Sequence, residues 1–105
     1  MSTMAAPGED HVTVVLGPAS EIFTAGLNGL ANNHPDVASA SVSFGTCELN
    51  VTRGYGLGVN QVAMQVASEG IAFFAASGDN GADDCMGGVD PTVDFPAGLP
   101  WVGAV

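Results

Sequence analysis

The stretch "GIAFFAASGDNGADDC", Gly70 to Cys85, decides how the rest of the chain is read. Its first half is an unbroken apolar run, Ile71 to Ala76, with two adjacent phenylalanines. A run of that length, bounded by Gly before and Ser-Gly-Asp after, reads as a buried strand. Its second half is glycine and acid and ends in a cysteine. Parallel sheets carry their chemistry in such loops, outside the carboxyl ends of their strands.

Upstream, "VNQVAMQVASEG", Val59 to Gly70, sets Val59, Val62, Ala63, Val66 and Ala67 on one helical face, with Gly70 as the stop. "TCELNVTRGYGLG", Thr46 to Gly58, reads as a loop, and "ASASVSFG", Ala38 to Gly45, as a strand. Before it, "ASEIFTAGLNGLANNHPDV" repeats Ile22, Phe23, Leu27, Leu30 and Ala31 at helical spacing. Ser20 is placed to cap that helix, and Asn32, Asn33 and Pro35 to end it. "HVTVVLG", His11 to Gly17, is β-branched and reads as a further buried strand. Downstream, Gly78 to Pro100 reads as one long loop and "WVGAV", Trp101 to Val105, as a last strand.

Strand, helix, strand, helix, strand is the order of an α/β domain: a parallel β-sheet with crossover helices, here one domain over residues 1–105. The near-continuous apolarity of the strands predicts a sheet covered on both faces. Loops 17–20, 45–58 and 78–88 then leave the carboxyl ends of the strands, which places Cys47, Glu48, Asp79, Asp83, Asp84 and Cys85 along one rim.

Charge narrows the partners. Eleven acidic residues face a single basic one, Arg53, for a net charge of −10. No basic stripe exists to neutralise phosphates, so neither nucleic acid nor an anionic membrane is an expected partner. No apolar run of about 18 residues is present to span a membrane. "MSTMAAPGEDH" has neither the basic start nor the apolar centre of a signal peptide. The absence of lysine favours an exported origin. Two cysteines, Cys47 and Cys85, permit one disulfide without demanding it.

The blocks "SVSFGTCE", "FFAASGDNGADDC" and "VDFPAGLPWVGAV", with "AAPGEDHVTVVLGP" before them, resemble in order and spacing those of the sedolisins, serine-carboxyl peptidases of subtilisin-like fold. The resemblance covers essentially the whole chain and implies part of a three-layer domain. It places Asp79 at the family's oxyanion position, where a protonated carboxyl donates to the developing negative charge. Ser43, Phe44 and Gly45 match the strand end that lines the substrate cleft and pairs with an extended peptide. The family's nucleophile stands in a Gly-Thr-Ser block beyond the segment matching "PWVGAV", and its catalytic Glu and Asp on a helix before the segment matching "AAPGEDHVTVVL". Glu9 and Asp10 lie too near the strand to be that pair. The resemblance therefore implies a central segment holding one of four catalytic positions and not acting as a peptidase by that mechanism. It also implies a Cys47–Cys85 disulfide, both residues lying just past the ends of strands read as neighbours.

Simpler roles stand beside these. Asp79 in Ser-Gly-Asp-Asn-Gly suits a turn that bonds its own backbone. Asp79, Asp83, Asp84 and Asp90 could gather a hard cation, yet no twelve-residue calcium-loop pattern is present, and neither metal nor cofactor is expected. A hydrolase of another kind, using Asp79, Asp83, Asp84 or a cysteine, is the alternative function. His11 and His34 fall at the opposite rim from both cysteines, which disfavours a thiol–imidazole pair. "NVT" at Asn50 fits a glycosylation acceptor, a pattern common by chance. The expected partners are a second copy of the chain and a peptide. Removing flanking strands and helices would leave open edges and apolar faces, with Trp101 near the contact between copies.

Overall fold

A computed structural model describes residues 8, 12–14, 16, 18, 21–33, 36–86 and 91–105. The order of elements is a π-helical turn Ile22–Gly26 running into helix α1 (Leu27–Asn33), strand β1 (Ser39–Val42), strand β2 (Thr46–Cys47), helix α2 (Arg53–Ser68), strand β3 (Ala72–Ala75), strand β4 (Asp94–Phe95) and strand β5 (Gly103–Ala104). β1, β3 and β5 form a parallel sheet with β3 in the middle. Its register pairs Ser39 with Ala72, Val42 with Ala75 and Ala75 with Ala104. The domain is α/β, with the parallel sheet and crossover helix that the element order predicts.

The core lies between the sheet and the helices. Phe23, Leu27 and Leu30 from the first helical segment meet Val59 and Val66 of α2, Ile71 and Phe73 of the β3 run, and Phe95 of β4. The predicted helical faces account for most of these residues, because side chains three and four apart stack on one side of a helix. Each buried phenylalanine contributes about 1.5–3 kcal/mol relative to exposure. Along β3, Phe73 and Ala75 are buried while Phe74 keeps 40% of its surface exposed. The described residues thus cover one face of the sheet, where the apolar strands predicted cover on both.

Three local readings are corrected. α2 begins at Arg53, inside the stretch read as a loop. Thr52 caps it, its Oγ1 accepting from the Tyr55 amide at 3.4 Å, and the Tyr55 ring packs 6.0 Å from that of Phe95. A cap and a tertiary anchor outweigh three glycines of low helix propensity. Gly70 ends the helix as expected, at φ +81°, its amide bonded to the Ala67 carbonyl.

In the stretch 78–100, Asp94 and Phe95 pair antiparallel with Cys47 and Thr46. A two-residue strand has no periodicity to read. In the stretch read as a first strand, Val12, Thr13, Val14 and Leu16 carry no strand pairing, and Val14 and Leu16 are 74% and 87% exposed. Apolar β-branched sequence becomes strand only where a neighbour pairs with it. The rest of that stretch, together with Ser20, His34 and Pro35, lies outside the described residues.

Candidate functional site: the carboxylate rim

β3 delivers its loop to the rim. After Ala75 the backbone stays tied to β5: the Ser77 amide and hydroxyl both donate to the Val105 carbonyl, at 2.8 and 2.9 Å. Gly78 follows at φ +125°. A Cβ there would run into the Asp84 carboxyl group, so only glycine lets that carboxyl reach the turn. Asp84 Oδ1 accepts from the amides of Asp79 and Asn80 at 2.9 and 3.0 Å and from Asn80 Nδ2 at 3.3 Å. Asp84 is 7% exposed. Asp79 itself is exposed. The turn bond foreseen for Asp79 is made by its neighbour: Asp84, not the Asp79 side chain, organises the turn.

A second carboxyl completes the arrangement. The Asp94 amide donates to the Ser77 carbonyl at 3.0 Å, and its side chain shares a hydrogen bond with Asp84. Two carboxyls can share such a bond only with one proton between them. Hydrogen bonding, led by the Asn80 amide, holds Asp84 below the ordinary aspartate value of 3.8 against the opposing effect of burial. Burial first, then the bond to Asp84 and the charges of Asp84 and Asp79, push Asp94 above it. Of the two, Asp94 is therefore the carboxyl that takes up a proton first as pH falls, with Asp84 as its acceptor.

Gly45 faces the same carboxyl. A Cβ on it would come within 2.8 Å of the Asp94 Cβ and 3.0 Å of its Oδ2. Gly45, predicted to line a substrate cleft, has this packing reason for being glycine.

Cys47 and Cys85 are joined in a disulfide, as the resemblance implied, with Cα atoms 5.1 Å apart. The bond ties the end of β2 to the acidic loop and leaves no free thiol, which closes the cysteine version of the alternative hydrolase. Beside it, the Cys85 amide donates to Thr92 Oγ1 at 2.9 Å, and that hydroxyl lies 3.5 Å from Asp83 Oδ1. Glu48, also placed on the rim by sequence, accepts from the Val93 amide through Oε1 at 3.2 Å. Among the described residues no three His, Cys, Asp or Glu side chains gather closely enough to hold a metal ion; Asp90 lies outside them.

Ser43 and Phe44 stand apart from this cluster. They line the end of a cleft of about 750 Å³ that runs along β1 and is walled by Ile22, Phe23, Leu27 and Leu30; neither Gly45 nor Asp79 lines it. Phe44 packs on Phe23 with ring centroids 5.4 Å apart. Sequence reasoning missed Asp94. No local pattern marks it, since it reaches Asp84 through the closure of its own loop, the Thr92 amide bonding the Ala82 carbonyl and the Asp94 amide the Ser77 carbonyl.

No protein-family model matches the sequence, and no curated protein does. Among solved structures, Pseudomonas sedolisin, a serine-carboxyl proteinase solved with two molecules of pseudo-iodotyrostatin, is similar over 86% of this chain, with a TM-score of 0.70 and 25% identity. This chain covers 26% of that protein, about a quarter of its length. Over the matched span the chain has a sedolisin-like fold, a part of the subtilisin-like architecture.

Proposed function

We propose that this chain is the central segment of a sedolisin-like serine-carboxyl peptidase, that it supplies the oxyanion-side carboxyl Asp79, and that alone it does not cleave peptides by that mechanism. One observation carries the reading: Asp79 stands exposed just past the carboxyl end of the central strand of a sedolisin-like sheet, its amide anchored by Asp84. A carboxyl carried on backbone anchored there suits electrostatic stabilisation of an oxyanion once a nucleophile faces it. The chain has no Gly-Thr-Ser block to provide that nucleophile. Its disulfide and lack of lysine support a working place outside the cell. No described helix is long and apolar enough to cross a membrane.

A second reading, hydrolysis by the rim carboxylates themselves, draws on the proton shared by Asp84 and Asp94, since acid–base work needs one carboxyl protonated beside one ionised. Protein-substrate assays of the purified chain at about pH 3–5, around the ordinary range of carboxyl titration, separate the two. No cleavage is expected. Cleavage sensitive to an aldehyde transition-state analogue would overturn the proposal, and insensitive cleavage abolished by Asp94→Asn would establish the second reading.

A further inference from the structure

A second cavity lies between the start of α2 and the turn that follows β4. It encloses about 350 Å³, within the usual range of ligand sites, about 300–1,000 Å³. None of Ser43, Phe44, Gly45 and Asp79 lines it. Its apolar wall includes Val51, Leu57 and Leu99. Leu57 keeps 54% of its surface exposed.

Three polar side chains interrupt that wall, and each has bonding capacity left over. Arg53, the single basic residue of the chain, makes no ion pair among the described residues. Glu48 uses Oε1 to accept from the Val93 amide, and its Oε2 has no partner among the described residues. That oxygen lies beside the cavity: a Cβ on Gly98, another lining residue, would stand 3.5 Å from it. Asn60 Oδ1 is buried and accepts no hydrogen bond. A buried acceptor without a donor costs free energy. The terminal torsion of an asparagine is soft, so a turn about it brings that oxygen to the cavity.

A cation, an anion and an amide acceptor around an apolar wall complement one kind of small molecule. Its ends are a carboxylate and an ammonium, its middle carries one N–H, and its side chains are apolar. We propose that this cavity binds a free apolar dipeptide, its carboxylate on Arg53, its ammonium on Glu48 Oε2 and its amide N–H donating to Asn60 Oδ1. The side chains of the dipeptide then cover Val51, Leu57 and Leu99. A single amino acid has no amide for Asn60, and a peptide blocked at either end loses one charge contact. A zwitterion carries no net charge, so the −10 of the chain neither draws nor repels it and recognition is local. The proposal does not depend on Asp79 being an oxyanion donor, and binding is read without any peptidase assay.

The probe is free leucyl-leucine, titrated at neutral pH into the isotope-labelled chain and followed through the backbone amide signals of Val51 to Asn60. Saturable shifts are expected there. The acetylated dipeptide, the dipeptide amide and the dipeptide methylated on its peptide nitrogen should each bind about fivefold more weakly, the upper end for a partly exposed polar contact. Glu48→Gln keeps an acceptor for the Val93 amide. It should erase the preference for the free over the acetylated form and leave the preference over the amide. Arg53→Gln should do the reverse. Should either variant fail to fold, the three altered probes give the same test on the unaltered chain.

No saturable shift at millimolar leucyl-leucine overturns the proposal. So does equal binding of any of the three altered probes, or a variant that keeps the preference it should lose. Shifts confined to the cleft along β1 or to the acidic loop overturn it as well, because the dipeptide would then occupy another site.

Discussion

Breaking the disulfide is the perturbation whose size the structure sets most directly. Cys47 and Cys85 close a loop with a sequence separation of 38. In the chain-entropy description, a cross-link over about 38 residues removes roughly 13 cal/mol/K from the unfolded ensemble, or about 4 kcal/mol at 25 °C. That is a large share of the roughly 5–15 kcal/mol by which domains are stable. With unfolding entropy near 2.1 cal/mol/K per residue, the loss corresponds to a drop in Tm of about 18 °C for a chain of this size.

Cys47→Ser with Cys85→Ser avoids mispairing and nearly preserves shape. Urea unfolding of the two proteins at one pH should show midpoints about 1.3–4 M apart for slopes of about 1–3 kcal/mol/M. The native structure should also loosen locally, since the bond pins the acidic loop beside the Asp84 acceptor. The amides of Asp79 and Asn80, which donate to that carboxylate, should exchange with solvent sooner in the variant. A stability difference below about 1 kcal/mol, or two titratable thiols in the untreated native protein, would refute the reasoning, because either result means the cross-link does not restrain the unfolded chain.

Three further outcomes follow from the rim and the open faces. Asp94, raised above 3.8, contributes stability at low pH that is lost as pH rises through its folded value, while Asp84, lowered, contributes stability lost as pH falls through its own. The pair is strongest on the acid side, with one proton between the two groups. Asp94→Asn keeps a donor for Asp84 and should flatten the decline in stability between pH 4 and 7 (approximate bounds of that window); an unchanged profile, with Glu48, Asp79 and Asp83 as the other acids described on the rim, would contradict the shared proton. Gly78→Ala should cost at least about 1–3 kcal/mol in a urea titration, since the position has φ +125° and its Cβ space is filled by the Asp84 carboxyl. Finally, a homodimer through the β5 end, where Trp101 is 46% exposed, should strengthen as salt screens the two negative charges, and sedimentation showing a monomer at all salt concentrations would exclude it.

Much of the architecture is legible in the sequence because it rests on local periodicity. The helical spacing of Val59, Ala63 and Val66 and of Phe23, Leu27 and Leu30 states which faces are buried, and all six are buried. The apolar run at Phe73 marks the central strand, and Gly70 marks the helix stop before it. The acidic loop at the strand exit follows from the same alternation of elements, and a family resemblance in its blocks foretold the disulfide.

Tertiary structure decided the rest. The stretch Arg53 to Gly58 looks like a loop for its glycines and becomes helix because Thr52 caps it and Tyr55 finds Phe95, a residue 40 positions away. Val14 and Leu16 look like core and lie exposed, because a strand needs a partner that composition does not name. The rim's organising groups are Asp84 and Asp94, which meet when the loop closes through the Thr92–Ala82 and Asp94–Ser77 backbone bonds and when Gly78 and Gly45 leave room for their carboxyls. Periodicity reports which side of an element faces the core; which distant side chains share a proton depends on how loops close, and no local pattern encodes that.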